Sequence, residues 1–268
     1  VSKLIARMEA RLKTLLFERT SRDVRLTDAG RTLHREGLRV LEALTEAESA
    51  LQHHTEEAQG TLRVHSIFTF AKYQLAPLMP KFLEENPGLR VEFFLSNDPL
   101  DMVENAIDFA IHSGPQPDSS LIARRLVSSH WIVCASPSYL RQHGYPKTPN
   151  DLALHNCLNF THHTHWNIWP FTEPYRQVKA QGNLGADQGD MLMQMAIHGA
   201  GIVRLAAFHI RDEIASGRLV PLLEEYQPMQ AEPLFVIYKS RRYLLPKAQA
   251  FLNYLERHFG YDERSQLS

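Results

Sequence analysis

Cysteine is nearly absent: 268 residues carry two, Cys134 and Cys157. Two thiols rule against a disulfide framework and suit a reducing cytoplasm, with both expected as buried free thiols. No apolar run approaches the ~20 residues that span a bilayer, and the charged N-terminus is unlike a signal peptide, so no membrane partner is expected. Excess charge is missing as well. The net value is −1, from 29 basic and 30 acidic groups, and by itself points to no partner. Low-complexity segments and solenoid repeats are absent. So are the usual marks of catalysis: no Ser/His/Asp order and no paired carboxylates stand out. HGAGI lacks the strand–GxGxxG–helix context of a dinucleotide site. His162, His163 and His165 are too closely spaced for a structural zinc site and have no matching Cys. No enzyme activity, cofactor or metal is expected.

What is present is a charge asymmetry. Residues 1–27 hold seven basic groups against three acidic ones (+4), and residues 28–60 reverse this to −4. A basic head on a near-neutral body is the electrostatic footprint of a small nucleic-acid module. The head reads as a basic helix followed by LFERTSRDVRLT, with Arg19, Arg22 and Arg25 in or beside a short turn. It opens with its side chains already in helical register and no cap before them, so further helices are expected ahead of Val1. From Thr27 and Asp28, which can cap, to Gly60, the chain has helix chemistry. Leu33, Val40 and Ala47 interleave with Gly37, Leu44 and Leu51 into one apolar stripe, which predicts a helix pairing with its twin.

After Gly60 strands and helices alternate, the pattern of a parallel α/β sheet. TLRVHSI, LRVEFFLS and DFAIHSG read as strands; FTFAKYQLAPLMPKFLEENPG and PLDMVENAI read as helices. LVSSHWIVCA is a further apolar run, and HNCLNF is a strand before a Trp- and His-containing loop. GDMLMQMAIHGAG is a helix whose Met191, Met193, Met195 and Ile197 read as core. EPLFVIYKS and LPKAQAFLNYLERHFG close the chain as strand and helix.

Taken in order, LFERTSRDVRLTDAG with its T-x-A-G ending, the long acidic helix, LAPLMPKFLEENPGLRVEFFLS, DFAIHSG, ASPSYLRQHG and HGAGI…GRLVPLL resemble the LysR-type transcriptional regulators of bacteria. The resemblance covers the whole chain. It implies an α/β effector domain of two Rossmann-like subdomains, preceded by a long linker helix and a partial all-α winged helix-turn-helix. The expected divisions are 1–27 for DNA binding, 28–60 for the dimerising linker and 61–268 for the effector domain. Within the last, subdomain I takes 61–134 with 238–262 and subdomain II takes 135–237, joined near Trp131–Ala135 and Leu234–Lys239. The partners implied are double-stranded DNA, a small-molecule effector, a second copy (dimer or dimer of dimers) through residues 28–58, and RNA polymerase.

A recognition helix presents its N-terminal side chains to base edges, which selects Ser2, Lys3 and Arg7. Arg19, Ser21, Arg22 and Arg25 suit phosphate contacts from a wing. Open parallel sheets bind ligands at strand carboxyl ends. That rule selects Ser66, Thr69 and Phe70 after the first strand, Ser96 and Asn97 after the second, and His112 and Ser113 after the third. Thr161, His162, Asp187, Gln188 and Ile202 are the candidates from the second subdomain. Hydroxyls and amides there suit a small polar or carboxylate metabolite. Many LysR-type relatives carry Arg where this chain has His112, which replaces a fixed cation with a titratable one. A solute-binding protein or small-molecule enzyme is the alternative on the same α/β scaffold. Neither needs the basic helix and pairing stripe of residues 1–60.

Overall fold

The computed structural model describes residues 2–19, 24–34, 36–37, 40, 58–98, 102, 105–113, 121–228, 231–238 and 245–260. The helix Ser2–Leu12 ends in a left-handed residue, Lys13 (φ 52°). The Glu9 carboxylate then accepts the amides of Leu16 (2.8 Å) and Phe17 (3.3 Å). This feeds the chain into β1 (Phe17–Arg19), which pairs antiparallel with β2 (Val24–Leu26). The expected turn is therefore a hairpin, and the head is not purely helical.

T-x-A-G has a local physical cause. The Thr27 hydroxyl donates to the Leu15 carbonyl (2.7 Å) and accepts the Gly30 amide (3.0 Å), capping the next helix. A Cβ at Gly30 would lie 2.0 Å from the Leu16 carbonyl oxygen, so only glycine permits this approach. Residues 28–34 and 36–37 are helical. Half of the predicted pairing stripe, Leu44, Ala47 and Leu51, lies outside the described residues.

Five strands form the larger sheet: β3 (Gly60–Ser66), β4 (Leu89–Leu95), β5 (Phe109–Ser113), β6 (Ile122–Ser129) and β14 (Glu232–Tyr238). Their order is β4-β3-β5-β14-β6. The first three run parallel, and β14 is antiparallel to both neighbours. Leu62 and Val64 of β3 alternate into the core, where the closing helix Pro246–Phe259 lays Phe251 and Tyr254. Phe251 meets Phe82 and Phe109 at 5.5 and 5.3 Å between ring centroids. Each such ring contributes roughly 1.5–3 kcal/mol by leaving water. The helix expected after β3 is broken: a wide turn over Ala71–Leu75 and a tight one over Ala76–Leu78 precede the regular helix Met79–Glu85. Pro77 has no amide to return to the Tyr73 carbonyl, which accepts a hydrogen bond from the Gln74 side-chain amide instead (3.1 Å). Of the helix expected at 99–107, the described residues Met102, Asn105 and Ala106 are in turns.

The second half is assembled from smaller pieces. β7 (Trp131–Ala135) lies between β12 (Val203–Ala206) and β13 (Val220–Pro221), antiparallel to both. β8 (Asn159–Phe160) pairs with β11 (Gly185–Ala186), and β9 (Ile168–Pro170) with β10 (Gln177–Lys179). The helices Gly189–Ile197 and Ala207–Ala215 pack on these strands. In the first of them Met193 is core, whereas Met191 is exposed, contrary to the expected all-core stripe. Cys134 and Cys157 are buried free thiols, pushed up by burial to about 12 and about 11.

The expected sheet crossings at Trp131–Ala135 and Leu234–Lys239 are displaced. β7 pairs wholly within the smaller sheet and β14 wholly within the larger one. The chain changes sheet at His130 and returns between Tyr226 and Glu232. The cause is visible in LVSSHWIVCA, where Ser128, Ser129 and His130 divide what looked like one apolar run into two strands.

Candidate ligand cleft and nucleic-acid interface

The two halves meet at a carboxylate. Asp190, in the first turn of Gly189–Ile197, accepts hydrogen bonds from the Lys72 ammonium and the Tyr73 hydroxyl (2.9 Å) across the cleft. From its own side it takes His209 Nε2 (3.1 Å). Burial pushes the Asp190 carboxyl up, but the Lys72 and Tyr73 hydrogen bonds hold it below its ordinary value. The same bond to Asp190 raises Lys72. Burial drives His209 down to about 4 against the opposing pull of Asp190, so this imidazole is neutral near pH 7. A second tie joins the Asn97 side-chain amide to the Asp187 carbonyl (3.0 Å).

Between these ties lies a cleft that opens to solvent. One wall is aromatic: Trp131, Phe160 and Trp166 stand with ring centroids 4.9–6.4 Å apart. Phe208 faces in from the helix after β12, braced edge-on against Phe70 (5.6 Å). Hydroxyls of Thr69, Ser113 and Ser129 and the amide of Asn97 supply polar contacts, and Glu232 a carboxylate. Arg204 stands behind the wall. Its guanidinium lies over the Trp131 ring (4.8 Å) and 3.9 Å from the Glu232 carboxylate. Burial lowers it to about 10, with Glu232 opposing, so it stays charged at neutral pH.

Of the sequence-selected ligand residues, Thr69, Asn97 and Ser113 line this cleft. The others lie elsewhere. Ser66 is buried with its hydroxyl on the Ile67 carbonyl (3.2 Å), and Ile67 lines the cleft in its place. Phe70 points into the core, and Ile202 is buried beside Cys157. Ser96 accepts the Asp98 amide (3.0 Å) in a local turn. Thr161 and His162 are exposed on their loop. Asp187 and Gln188 meet Asn97 at the mouth without lining the interior. His112 is the main correction. It is buried against His65 (Nε2–Nδ1 2.8 Å) and driven down to about 4 by burial and by the His65 charge. Strand alternation explains this, since Ser113 takes the cleft side and its neighbour takes the other.

In the head, Arg7 is exposed along Ser2–Leu12, and Arg25 is exposed on β2 opposite Glu18. Ser2 and Lys3 are in the first turn of that helix and Arg19 ends β1. Ser21 and Arg22 lie outside the described residues.

Two family models divide the chain along the same line. That for the LysR substrate binding domain matches residues 55–260, and that for the bacterial regulatory helix-turn-helix protein, lysR family, matches residues 1–31. The chain belongs to the LysR family of transcriptional regulators. It is 34% identical to the HTH-type transcriptional regulator CrgA of Neisseria meningitidis serogroup C over 264 residues, 97% of this chain and 87% of that protein. Against DmlR of Escherichia coli K12 the identity is 30%, over 97% of this chain and 85% of that one. A solved structure of CrgA superimposes with a TM-score of 0.73 at 33% identity, covering 97% of this chain and 88% of that one.

For this LysR-family regulator, the strand-end rule missed the residues that the antiparallel elements bring in. Ser129, Trp131, Glu232 and Leu234 flank the two sheet crossings, and Phe208 and His209 follow β12. A parallel-sheet rule has no place for such residues. The clustering of aromatic residues in Trp131, Phe160 and Trp166 was the available signal.

Proposed function

We propose that this LysR-family regulator is a cytoplasmic, dimeric or tetrameric DNA-binding protein controlled by a small molecule seated between its α/β subdomains. The observation that carries this reading is Asp190, which holds Lys72 and Tyr73 from the opposite side of the cleft. A ligand that prefers one arrangement of the two halves must act on that contact, and its differential affinity sets how far it can shift them. Paired copies, joined through residues 28–58, convert the shift into a change in spacing of their DNA-reading heads. Ser2, Lys3 and Arg7 are the proposed base-edge contacts. Arg19, Ser21, Arg22 and Arg25 are the proposed phosphate contacts. Binding to RNA polymerase at the promoter belongs to the same proposal.

The test is an electrophoretic mobility shift on the upstream DNA of its own gene across a salt series. Sequence-selective binding is expected to weaken with salt, and Arg25→Ala to reduce the slope of log affinity on log salt by about 0.9. No salt-sensitive, selective shift would reject the regulator assignment for this chain. Leu44→Glu with Leu51→Glu is expected to lower the mass measured by light scattering.

A further inference from the structure

We infer that the cleft takes an arylalkyl amine, a flat ring carrying an ammonium group, and not the carboxylate that was one of the two ligand classes suggested by sequence. This rests on the cleft being the effector site. Trp131, Phe160 and Trp166 form a continuous aromatic wall, and Phe208 faces in from another element. Such surfaces favour a stacked or edge-on ring and attract a cation near their faces.

The charges point the same way. Among the described residues, the charged side chain in the lining is Glu232, and no Lys or Arg lines the cleft. Lys72 is committed to Asp190, and His209 is a neutral imidazole hydrogen-bonded to that same carboxylate. Arg204 is buried, its guanidinium lying over the Trp131 ring and approaching the Glu232 carboxylate only to 3.9 Å, beyond hydrogen-bonding range. Glu232 has Arg204 at 3.9 Å on its buried side, but its side chain stays 42% exposed and no Lys or Arg is in the lining, so a ligand carboxylate would meet a carboxylate there and no cation of the lining. An ammonium group would meet an acceptor of opposite charge, with the hydroxyls of Ser113 and Ser129 on the same lining.

The experiment uses the full chain and four probes: phenethylamine, 2-phenylethanol, phenylacetate and succinate, read by tryptophan fluorescence and by melting temperature. Phenethylamine is expected to bind tightest, with phenylacetate weaker by about tenfold or more. Glu232→Gln is expected to bring phenethylamine down to the level of 2-phenylethanol while leaving 2-phenylethanol unchanged. Trp166→Leu is expected to weaken all three aryl probes. Three outcomes overturn the inference: phenylacetate binding as well as phenethylamine; no response to either uncharged or cationic aryl probe at about 10 mM; or phenethylamine binding that survives both substitutions. Succinate binding alone rejects the amine while leaving the cleft as an effector site. Phenethylamine binding that requires Glu232 and Trp166, but leaves operator affinity unchanged, keeps the amine site and rejects the effector role.

Discussion

The two halves of the effector domain reach the same end by different means. The half built on β3, β4, β5, β14 and β6 has one continuous five-stranded sheet, with a large core on one face and a small cluster around Ile107, Ala110, Phe235 and Ile237 on the other. The half between the crossings divides its strands among three small sheets and its apolar side chains between two clusters. Side chains do there what ladders do in the first half. Asn167 both donates to the Phe160 carbonyl and accepts its amide, each at 2.8 Å. Asn156 holds the Ala200 carbonyl (2.7 Å) and the Asn183 amide (2.9 Å). Gly182 and Gly201 let segments approach so closely that a Cβ would lie 2.2 Å from the Cys157 oxygen or 2.3 Å from the Asn156 oxygen. Both halves combine apolar packing with polar joints such as Lys247 on the Thr61 carbonyl and Asp108, but in the second half the joints stand where the first half has strand ladders.

That contrast can be broken by mutation. The largest effect is expected from Phe251→Ala in the five-stranded half, a loss of about 3–5 kcal/mol in urea unfolding from the cavity left among Phe82 and Phe109. Gly201→Ala should cost about 1–3 kcal/mol, because backbone rather than a yielding side chain opposes the new methyl. A melting temperature unchanged by Gly201→Ala would show that the close approach is not needed. Asn167→Ala should cost about 1–2 kcal/mol by leaving two backbone groups of Phe160 without their partner. The equivalent loss of an exposed polar side chain in the other half, Gln249→Ala, should stay within about 0.5 kcal/mol in the same unfolding assay.

Acid provides a further comparison, since each half buries an imidazole driven down to about 4, and the five-stranded half buries His65 beside it. His112 and His209 are both held near 4 when folded and lie at 6.5 in the reference state. The unfolded chain therefore binds more protons across that window, and stability is lost as pH falls from about 6.5 towards 4. Between pH 7 and pH 5 a loss on the order of 1 kcal/mol per residue is expected. Urea unfolding of His112→Gln and His209→Gln at both pH values should show each variant losing less than the parent. Equal pH dependence in parent and variants would remove these residues as the cause.

The same contrast explains what could be read from residues alone. The parallel strands around Leu62, Val91 and Ile111 announce themselves by apolar alternation and by Gly/Pro boundaries, and the T-x-A-G ending carries its cap and its close approach in four letters. The strand pairs around Asn159, Ile168 and Gln177 run for two or three residues, too short for any period to emerge. In the cleft, Thr69, Asn97 and Ser113 follow from strand order. Trp131, Phe208 and Glu232 come from antiparallel partners distant in sequence, and only the fold brings them together. His112 was misplaced by a single residue of alternation, which in a strand reverses the face.

The position of β14 has a consequence for how the molecule is made. It lies between β5 and β6, so β6 joins its sheet only through a strand that leaves the ribosome about a hundred residues later. At a synthesis rate of roughly 5–20 residues per second, the edge of β5 stays open for several seconds while the whole intervening half is produced. The intervening half can fold before the domain that began earlier is complete. During that interval the edge of β5, with Phe109 and Ile111, waits for its partner strand, and β14 is what closes it.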